Sequence, residues 1–329
     1  MWYDIGKTLT YNCLFNFVIG SRGCGKTYGA KKRAIKIGKG GKQFVYLRRY
    51  QEEIDETAPS YFDDIILNNE FPDDKIEYKN GNYYLNGNLC GYAMALSKAK
   101  SYKSIAFPLV DFIIFDEFLI EDNGFSRYLK NEVKQFLGFY MSIDRYRGTV
   151  VFFLANSTEL MNPYTLYFDL QLPYGSDIVR KGDVLLQMVN NPEYIENRKN
   201  TRFGKIIEGT DFAEYAIENK FSDNNKTFIM RKTEKAQYYF TFVYYGVRYG
   251  VWIDYSSGKM FVSENIDPSC LVTYSITVDD HQPNTMLLNG INKSPFFKKL
   301  VECYKLGVVY FESVKIKNVV YEVMRLCIR

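Results

Sequence analysis

One stretch constrains this chain more than any other: residues 16–32 read NFVIGSRGCGKTYGAKK. The run CLFNFVI over residues 13–19 suits a strand covered on both faces. The turn that follows fits G-x-x-x-x-G-K-[ST] without a mismatch, as Gly20, Ser21, Arg22, Gly23, Cys24, Gly25, Lys26 and Thr27. Each fixed position has a physical reason. Glycines let the backbone wrap so that successive N–H groups face phosphate oxygens at the positive end of a helix. Lys26 would reach the β- and γ-phosphates of a nucleotide, and the Thr27 hydroxyl would bind Mg²⁺. By glycine frequency alone, about 1% of chains this long would carry the pattern by accident. A strand before it and a helix after it lower that figure, so the expected ligand is ATP with Mg²⁺.

A strand feeding a glycine turn and then a helix opens a parallel α/β sheet. The remaining sequence continues the alternation. KQFVYLRRY is a second strand candidate ending in Arg48 and Arg49. Residues 76–96 alternate and carry two Asn-Gly turns, which predicts a small antiparallel insertion. DFIIFDEF gives a third buried strand, RYLKNEVKQFLGFYMSI a helix and TVVFFLAN a fourth strand. The expectation is a RecA/ASCE-type α/β domain with a mostly parallel sheet over residues 1–197. The polar, basic segment ENRKNTRFGKIIEG opens a linker region over 198–230, with a short helix at TDFAEYAIENKF. From 231 to 329 a β-meander (QYYFTFVYYGVRYGVWIDYSSGKMFVSE), a strand (CLVTYSITV) and two helices make a second, smaller α/β domain.

A phosphate loop needs a second carboxylate site, and four apolar residues deliver Asp116 and Glu117 to a strand's C-terminal end. Asp116 would hold Mg²⁺ through its water shell, and Glu117 would orient or deprotonate an attacking water. The plainer reading is a solvated strand end. Asn156 closes TVVFFLAN, where its amide would sit beside the γ-phosphate or simply cap the strand. Arg145 and Arg147, in SIDRYRGT, are candidates for an arginine supplied to a neighbouring subunit's site; the bland alternative is a basic surface loop. The sequence does not choose between them, and Lys103 is a weaker candidate for the same interface.

Composition narrows the partners. Net charge is only +4 over 329 residues, so any nucleic-acid surface must come from local clusters. The aromatic share of 17% reads first as packing. Six scattered cysteines and one histidine, without metal-ligand spacing, argue against a zinc site and for reduced thiols in a cytosolic protein. No signal peptide is expected, and no apolar run approaches the roughly 18 residues that span a bilayer.

The ordered set NFVIGSRGCGKTYGAKK, FVYLRRY, IIFDEF, LKNEVK, NTRFGKIIEGTDF and GVRYGVWIDYSSGKMFVSENIDPS resembles the genome-packaging ATPases of φ29-type bacteriophages, nearly end to end. The resemblance implies a ring-forming motor, a homopentamer, docked on the portal vertex of an empty capsid in the host cell cytoplasm. It would thread double-stranded DNA inward at the expense of ATP, and in the φ29 type such a motor also sits on a structural packaging RNA. The family's phosphate loop carries onto Gly20–Thr27, its paired carboxylates onto Asp116 and Glu117, and its trans-acting arginine onto the Arg145/Arg147 region. Packaging ATPases of other tailed phages end in an RNase H-like nuclease, and this C-terminal domain is compatible with that fold. Its candidate carboxylates are Asp254, Asp279, Asp280 and Glu312, of which only Asp254 is placed where a first strand would put one. A φ29-type phage packages unit-length genomes, so a domain that no longer cleaves is expected.

A duplex translocase should hold phosphates rather than bases. Arg127 and Lys130, in the loop EDNGFSRYLKN just after Glu117, are the first candidates; Arg198, Lys199, Arg202 and Lys205 form a second basic cluster, and Lys298, Lys299 and Lys305 a third. For most of these a solvated surface is the simpler reading. Two other classes fit the nucleotide site: a helicase, which would prefer single strands, and a structural ring that binds nucleotide without turnover.

Overall fold

The structure is a computed structural model, and it describes residues 3–20, 22–120, 126–156, 160–173, 176–189, 191–207, 228–288 and 294–328. Two compact units emerge. The first takes in Met1–Leu119, Val133–Thr158 and Leu170–Lys220; the second takes in Ile120–Glu132, Glu159–Asp169 and Phe221–Arg329.

A short helix α1 (Ile5–Leu9) precedes strand β1 (Phe15–Gly20), which is buried along its whole length. Helix α2 (Lys26–Lys39) follows the glycine turn, then β2 (Gln43–Arg48), α3 (Gln51–Thr57) and α4 (Asp63–Leu67). The expected antiparallel insertion is present as β3 (Ile76–Lys79), β4 (Asn82–Leu85) and β5 (Asn88–Ala95). Both Asn-Gly turns have positive φ at both residues, the geometry that matches hairpin twist. A 3-10 turn (Leu96–Tyr102) leads on to β6 (Val110–Asp116), α5 (Glu132–Asp144) and β7 (Val150–Ala155). Past α6 (Pro163–Phe168) come β8 (Ile178–Lys181) and β9 (Val184–Val189), which the sequence reading did not assign.

The strands of the first unit form one nine-stranded sheet in the order β3-β4-β5-β2-β6-β7-β1-β9-β8. The run from β5 through β9 is parallel, and antiparallel pairs lie only at the two edges. β7 lies between the glycine-turn strand β1 and the carboxylate strand β6. Aromatic residues fill the core, as composition suggested. Phe153 stacks on Phe17 at 4.1 Å between ring centres and meets Phe136 edge-on at 4.7 Å.

Two sequence expectations are corrected here. The helix read from Arg127 begins only at Glu132, because Asn131 adopts a left-handed φ of 55° that breaks the run. The segment read as a weakly periodic linker forms two short helices, α7 (Pro192–Lys199) and α8 (Arg202–Ile207). Asn191 caps α7, accepting from the Tyr194 N–H, and Pro192 is its first residue, two start signals the low periodicity hid. The helix expected at TDFAEYAIENKF lies outside the described residues.

The second unit holds a six-stranded sheet built from the meander β10 (Gln237–Tyr244), β11 (Val247–Asp254) and β12 (Lys259–Ser263), with β13 (Thr273–Ser275), β14 (Met286–Leu287) and β15 (Val309–Phe311). Its order is β14-β13-β10-β11-β12-β15, antiparallel within the meander and parallel in the outer pairs. Helices α9 (Pro295–Lys305) and α10 (Val314–Ile328) supply Phe297, Leu300, Val320 and Met324 to a core shared with Phe240, Phe242 and Val251. The segment 120–132 is pinned to this unit: the Tyr128 N–H donates to the Leu306 carbonyl at 3.1 Å. Beside that bond Gly307 has a φ of 71°, which disfavours any other residue, and a Cβ there would also push on the Ile120 side chain, 2.4 Å away. Among the described residues, no helix is long and apolar enough to cross a membrane.

Candidate functional site

β1 runs out at Gly20, and the chain turns through Gly23 and Gly25, with φ values of 79° and 91°, before α2 begins at Lys26. A side chain at Gly25 would have to adopt a conformation that L-residues avoid. Gly23 is restricted twice over, since a Cβ would also lie 2.1 Å from the Tyr194 hydroxyl oxygen of α7. Ser21 lies outside the described residues; Arg22, Gly23, Gly25, Lys26 and Thr27 all line one cleft.

Lys26 is buried, its Nζ donating to the Gly20 carbonyl at 2.9 Å and lying 3.3 Å from the Cys24 sulfur. Burial lowers its pKa, partly offset by the Cys24 thiol and by Asp116. A buried ammonium held on backbone oxygen and a thiol gains from an anion, and that is the condition a phosphate would meet. On the facing strand, Asp116 accepts from the Thr27 hydroxyl at 3.2 Å. Burial raises the Asp116 pKa, and the Arg48 guanidinium beside it pulls the other way. A carboxylate disfavoured as an anion and already facing a hydroxyl is what a divalent cation would relieve. The residues therefore fit Mg²⁺ with a nucleotide triphosphate.

Glu117 lines the same cleft, yet its carboxylate is engaged: Arg48 donates to Oε2 at 2.6 Å. Parallel pairing of β2 with β6, with Leu47 opposite Phe115, brings Arg48 to this place. The neighbouring Arg49 is buried and binds the backbone carbonyls of Glu117 and Phe118. Sequence reading noted these arginines only as a strand ending. The signal was available, since two arginines closing a buried strand next to a carboxylate strand must find acids or carbonyls. Asn156 follows β7 and also lines the cleft, which measures about 1220 Å³.

Arg145 and Arg147, equal in sequence, differ in structure. Arg147 donates to the carbonyls of Phe107 at 2.8 Å and Ile143 at 2.5 Å, tying the loop before β6 to the end of α5. Arg145 is exposed; its guanidinium donates to the Ile105 carbonyl at 3.1 Å and its backbone N–H to the Met141 carbonyl at 3.4 Å. Both lie at the N-terminal ends of β6 and β7, whereas the cleft lies at the C-terminal ends. A seven-residue strand spans about 20 Å, so neither arginine reaches its own cleft.

Arg127 and Lys130 are exposed on the segment that belongs to the second unit, not to the first as their position just after Glu117 suggested. In the second basic cluster, Arg198 donates to the Tyr194 hydroxyl at 2.6 Å. Among the described residues, no three of the nuclease candidates come together where they could hold a metal ion. Asp254 ends the second strand of the meander rather than lying on the first, and β10 (QYYFTFVY) contains no acid. Its carboxylate accepts from the Ser256 hydroxyl and N–H, from the Ser257 N–H and from the Thr233 hydroxyl. Those bonds, Ser256 foremost, depress its pKa. Asp280 is held likewise by Thr277 and the N–H groups of Tyr245 and Gly246, whose bonds outweigh the opposing effect of burial.

The fold and the site define an ATPase of the α/β class. Residues 1–328 match the Podovirus DNA encapsidation protein (Gp16) family, and the chain belongs to it. It is 35% identical over 327 residues to the DNA packaging protein of Bacillus phage phi29, covering 99% of this chain and 97% of that one. Among solved structures it is similar to the bacteriophage Phi-29 viral genome packaging motor assembly, with a TM-score of 0.59, 34% identity and 99% of each chain covered. The N-terminal domain of the DNA packaging ATPase from phi29 matches with a TM-score of 0.53 and 37% identity, over 57% of this chain and 96% of that one.

Proposed function

We propose that this protein is an ATP-driven motor that moves double-stranded viral DNA into a preformed capsid. One observation carries the chemistry. The glycine loop and the β6 carboxylates, 89 residues apart, meet across the 3.2 Å bond from Thr27 to Asp116, with Glu117 in the same cleft. Family membership supplies the DNA and the capsid.

In this reading the first unit is of RecA/ASCE type, supported by the single strand between β1 and β6. Loop N–H groups and Lys26 would bind the phosphates, and Thr27 and Asp116 would hold Mg²⁺, which would supply charge neutralisation at the phosphoryl group. Glu117 takes the proton of the attacking water once it leaves Arg48. Asn156 orients the γ-phosphate end. Arg145, rather than Arg147, enters a neighbour's cleft, because Arg147 is spent on its own loop. Arg127 and Lys130 bear on duplex phosphates. The ring is a pentamer on a portal vertex in the host cytoplasm, with a structural RNA as a further partner; these rest on the φ29-type resemblance. The second sheet, with its central meander flanked by parallel strands, supports an RNase H-like origin. The local bonds that hold Asp254 and Asp280 support a domain that no longer cleaves.

The test is steady-state ATP turnover with and without linear duplex DNA, with single strands as control. Stimulation by duplex supports the motor. Preference for single strands would make it a helicase, and indifference to both in capsid-bound assemblies would leave only a nucleotide-gated ring. Nicking of plasmid with Mg²⁺ or Mn²⁺, abolished by Asp254→Ala, would overturn the non-cleaving reading.

A further inference from the structure

Two exposed apolar patches on the first unit have no role in the chemistry above. One centres on the end of α5 and the loop before β6. There Met141 is 73% exposed, Tyr146 fully so, and Ile105 and Leu109 are 46% and 44% exposed. These residues share one place, since Arg145 bonds the carbonyls of both Met141 and Ile105. The other is α4, where Leu67 is 85% and Ile66 52% exposed while Ile65, on the opposite side, is fully buried. Large apolar side chains left this open in neighbouring positions mark contact surfaces.

Their charges are opposite. The segment 97–109 carries Lys98, Lys100 and Lys103 and no acid, and Arg145 and Arg147 adjoin it. The segment 63–74, DDIILNNEFPDD, carries five acids and no base. Asp64, Glu70 and Asp74 pair with lysines of α2, while Asp63, one helical turn before Leu67, and Asp73 are exposed. The acidic segment also borders the nucleotide cleft, to which it contributes Asp64, Asn68 and Glu70. The cleft, about 1220 Å³, thus extends as far as α4 and the segment that follows it.

We propose that the α4 strip of Ile66 and Leu67, rimmed by Asp63 and Asp73, is the seat for a second copy of this chain, which presents Met141, Tyr146 and Ile105 with Lys100 and Lys103 around them. Two different patches meet, so the contact is head-to-tail; repeated, such a contact gives a ring when its rotation closes and an open filament when it does not, and the ring is the form the proposed motor requires. Seating the α5 end on α4 carries the incoming Arg145 to the rim of a cleft that its own chain cannot reach. The surface rests on the reading that a neighbour completes the site, and the tests separate the two.

Full-length Leu67→Cys chain is mixed with full-length Met141→Cys chain, assembled on empty capsids with duplex DNA and ATP, and oxidised briefly. Native Cys13, Cys24, Cys90 and Cys303 are buried, and Cys270→Ser with Cys327→Ser in both chains keeps the background low. A cross-linked dimer in the mixture and in neither variant alone is expected, and chains carrying both substitutions should give a ladder. No dimer in mixtures that package DNA would assign α4 to another partner and overturn the proposal. Independently, Asp63→Lys with Asp73→Lys should cut duplex-stimulated turnover about tenfold through like-charge contact. Adding Lys100→Glu and Lys103→Glu should restore most of it; a deeper loss would sink the surface. If the dimer forms but Arg145→Ala leaves assembled turnover unchanged, the arginine reading fails and the surface stands.

Discussion

Strand-end aspartates in the two units live in opposite circumstances. Asp254 and Asp280 are satisfied within a few residues or by an adjoining turn, through hydroxyls and backbone N–H groups that stabilise the anion. Asp116 is satisfied poorly: it has one hydroxyl from another element, burial raises its pKa, and a second carboxylate follows it in sequence. A carboxylate whose bonds are complete holds a turn in shape. One left wanting a cation, beside a buried lysine that wants an anion, is ready for a ligand.

The sharpest way to break this contrast is at Glu117. Glu117→Gln should retain nucleotide binding and lose on the order of 10²–10⁴ in turnover, as single-turnover assays would show. Next comes the arginine pair. Arg145→Ala should cost about 10³-fold or more in assembled turnover without changing the melting temperature. Arg147→Ala should instead lower thermal stability by about 1–3 kcal/mol, by orphaning buried carbonyls. Equal kinetic losses for both would erase the distinction drawn from their bonds.

Asp116→Asn should abolish turnover but raise the stability of the nucleotide-free protein at pH 7 by on the order of 1 kcal/mol. The sign follows from linkage. Its folded pKa lies above the unfolded value, so the native state loses stability as pH rises through that interval, and the neutral amide removes the cost. Asp254 runs the other way. Its folded pKa is depressed, so its contribution is present above the usual carboxylate pKa of about 4 and fades as pH falls below it. Asp254→Asn should lower the melting temperature at pH 7, shrink that difference in acid, and leave ATP turnover untouched.

Much of the first unit was legible because its signals are local. A buried run, a glycine turn and a helix lie within 27 residues, and the two Asn-Gly turns announce their hairpins by residue type. What escaped depends on neighbours distant in sequence. β9 is a strand because β1 offers a free edge, and Arg48 matters because β2 lies beside β6 in a fixed register. The choice between Arg145 and Arg147 turns on which carbonyls lie nearby. That Ile120 and Tyr128 belong with the second unit shows only in their packing against Leu306 and Gly307, some 180 residues later.

Glu117 rests with a φ of 54°, in a backbone basin that suits glycine or asparagine. Such a residue carries about 1–3 kcal/mol of strain, while its ion pair to Arg48, with the carboxylate 46% exposed, returns only about 0–1 kcal/mol. The buried Arg49, clasping the carbonyls on either side of the next peptide, is what keeps the backbone there. Departure of the carboxylate from Arg48 therefore costs only the ion pair, about 0–1 kcal/mol, while Arg49 keeps the backbone of residues 117 and 118 in place. In the proposed mechanism the tie that must be released is the weaker of the two, so the Glu117 side chain swings without the strand end refolding.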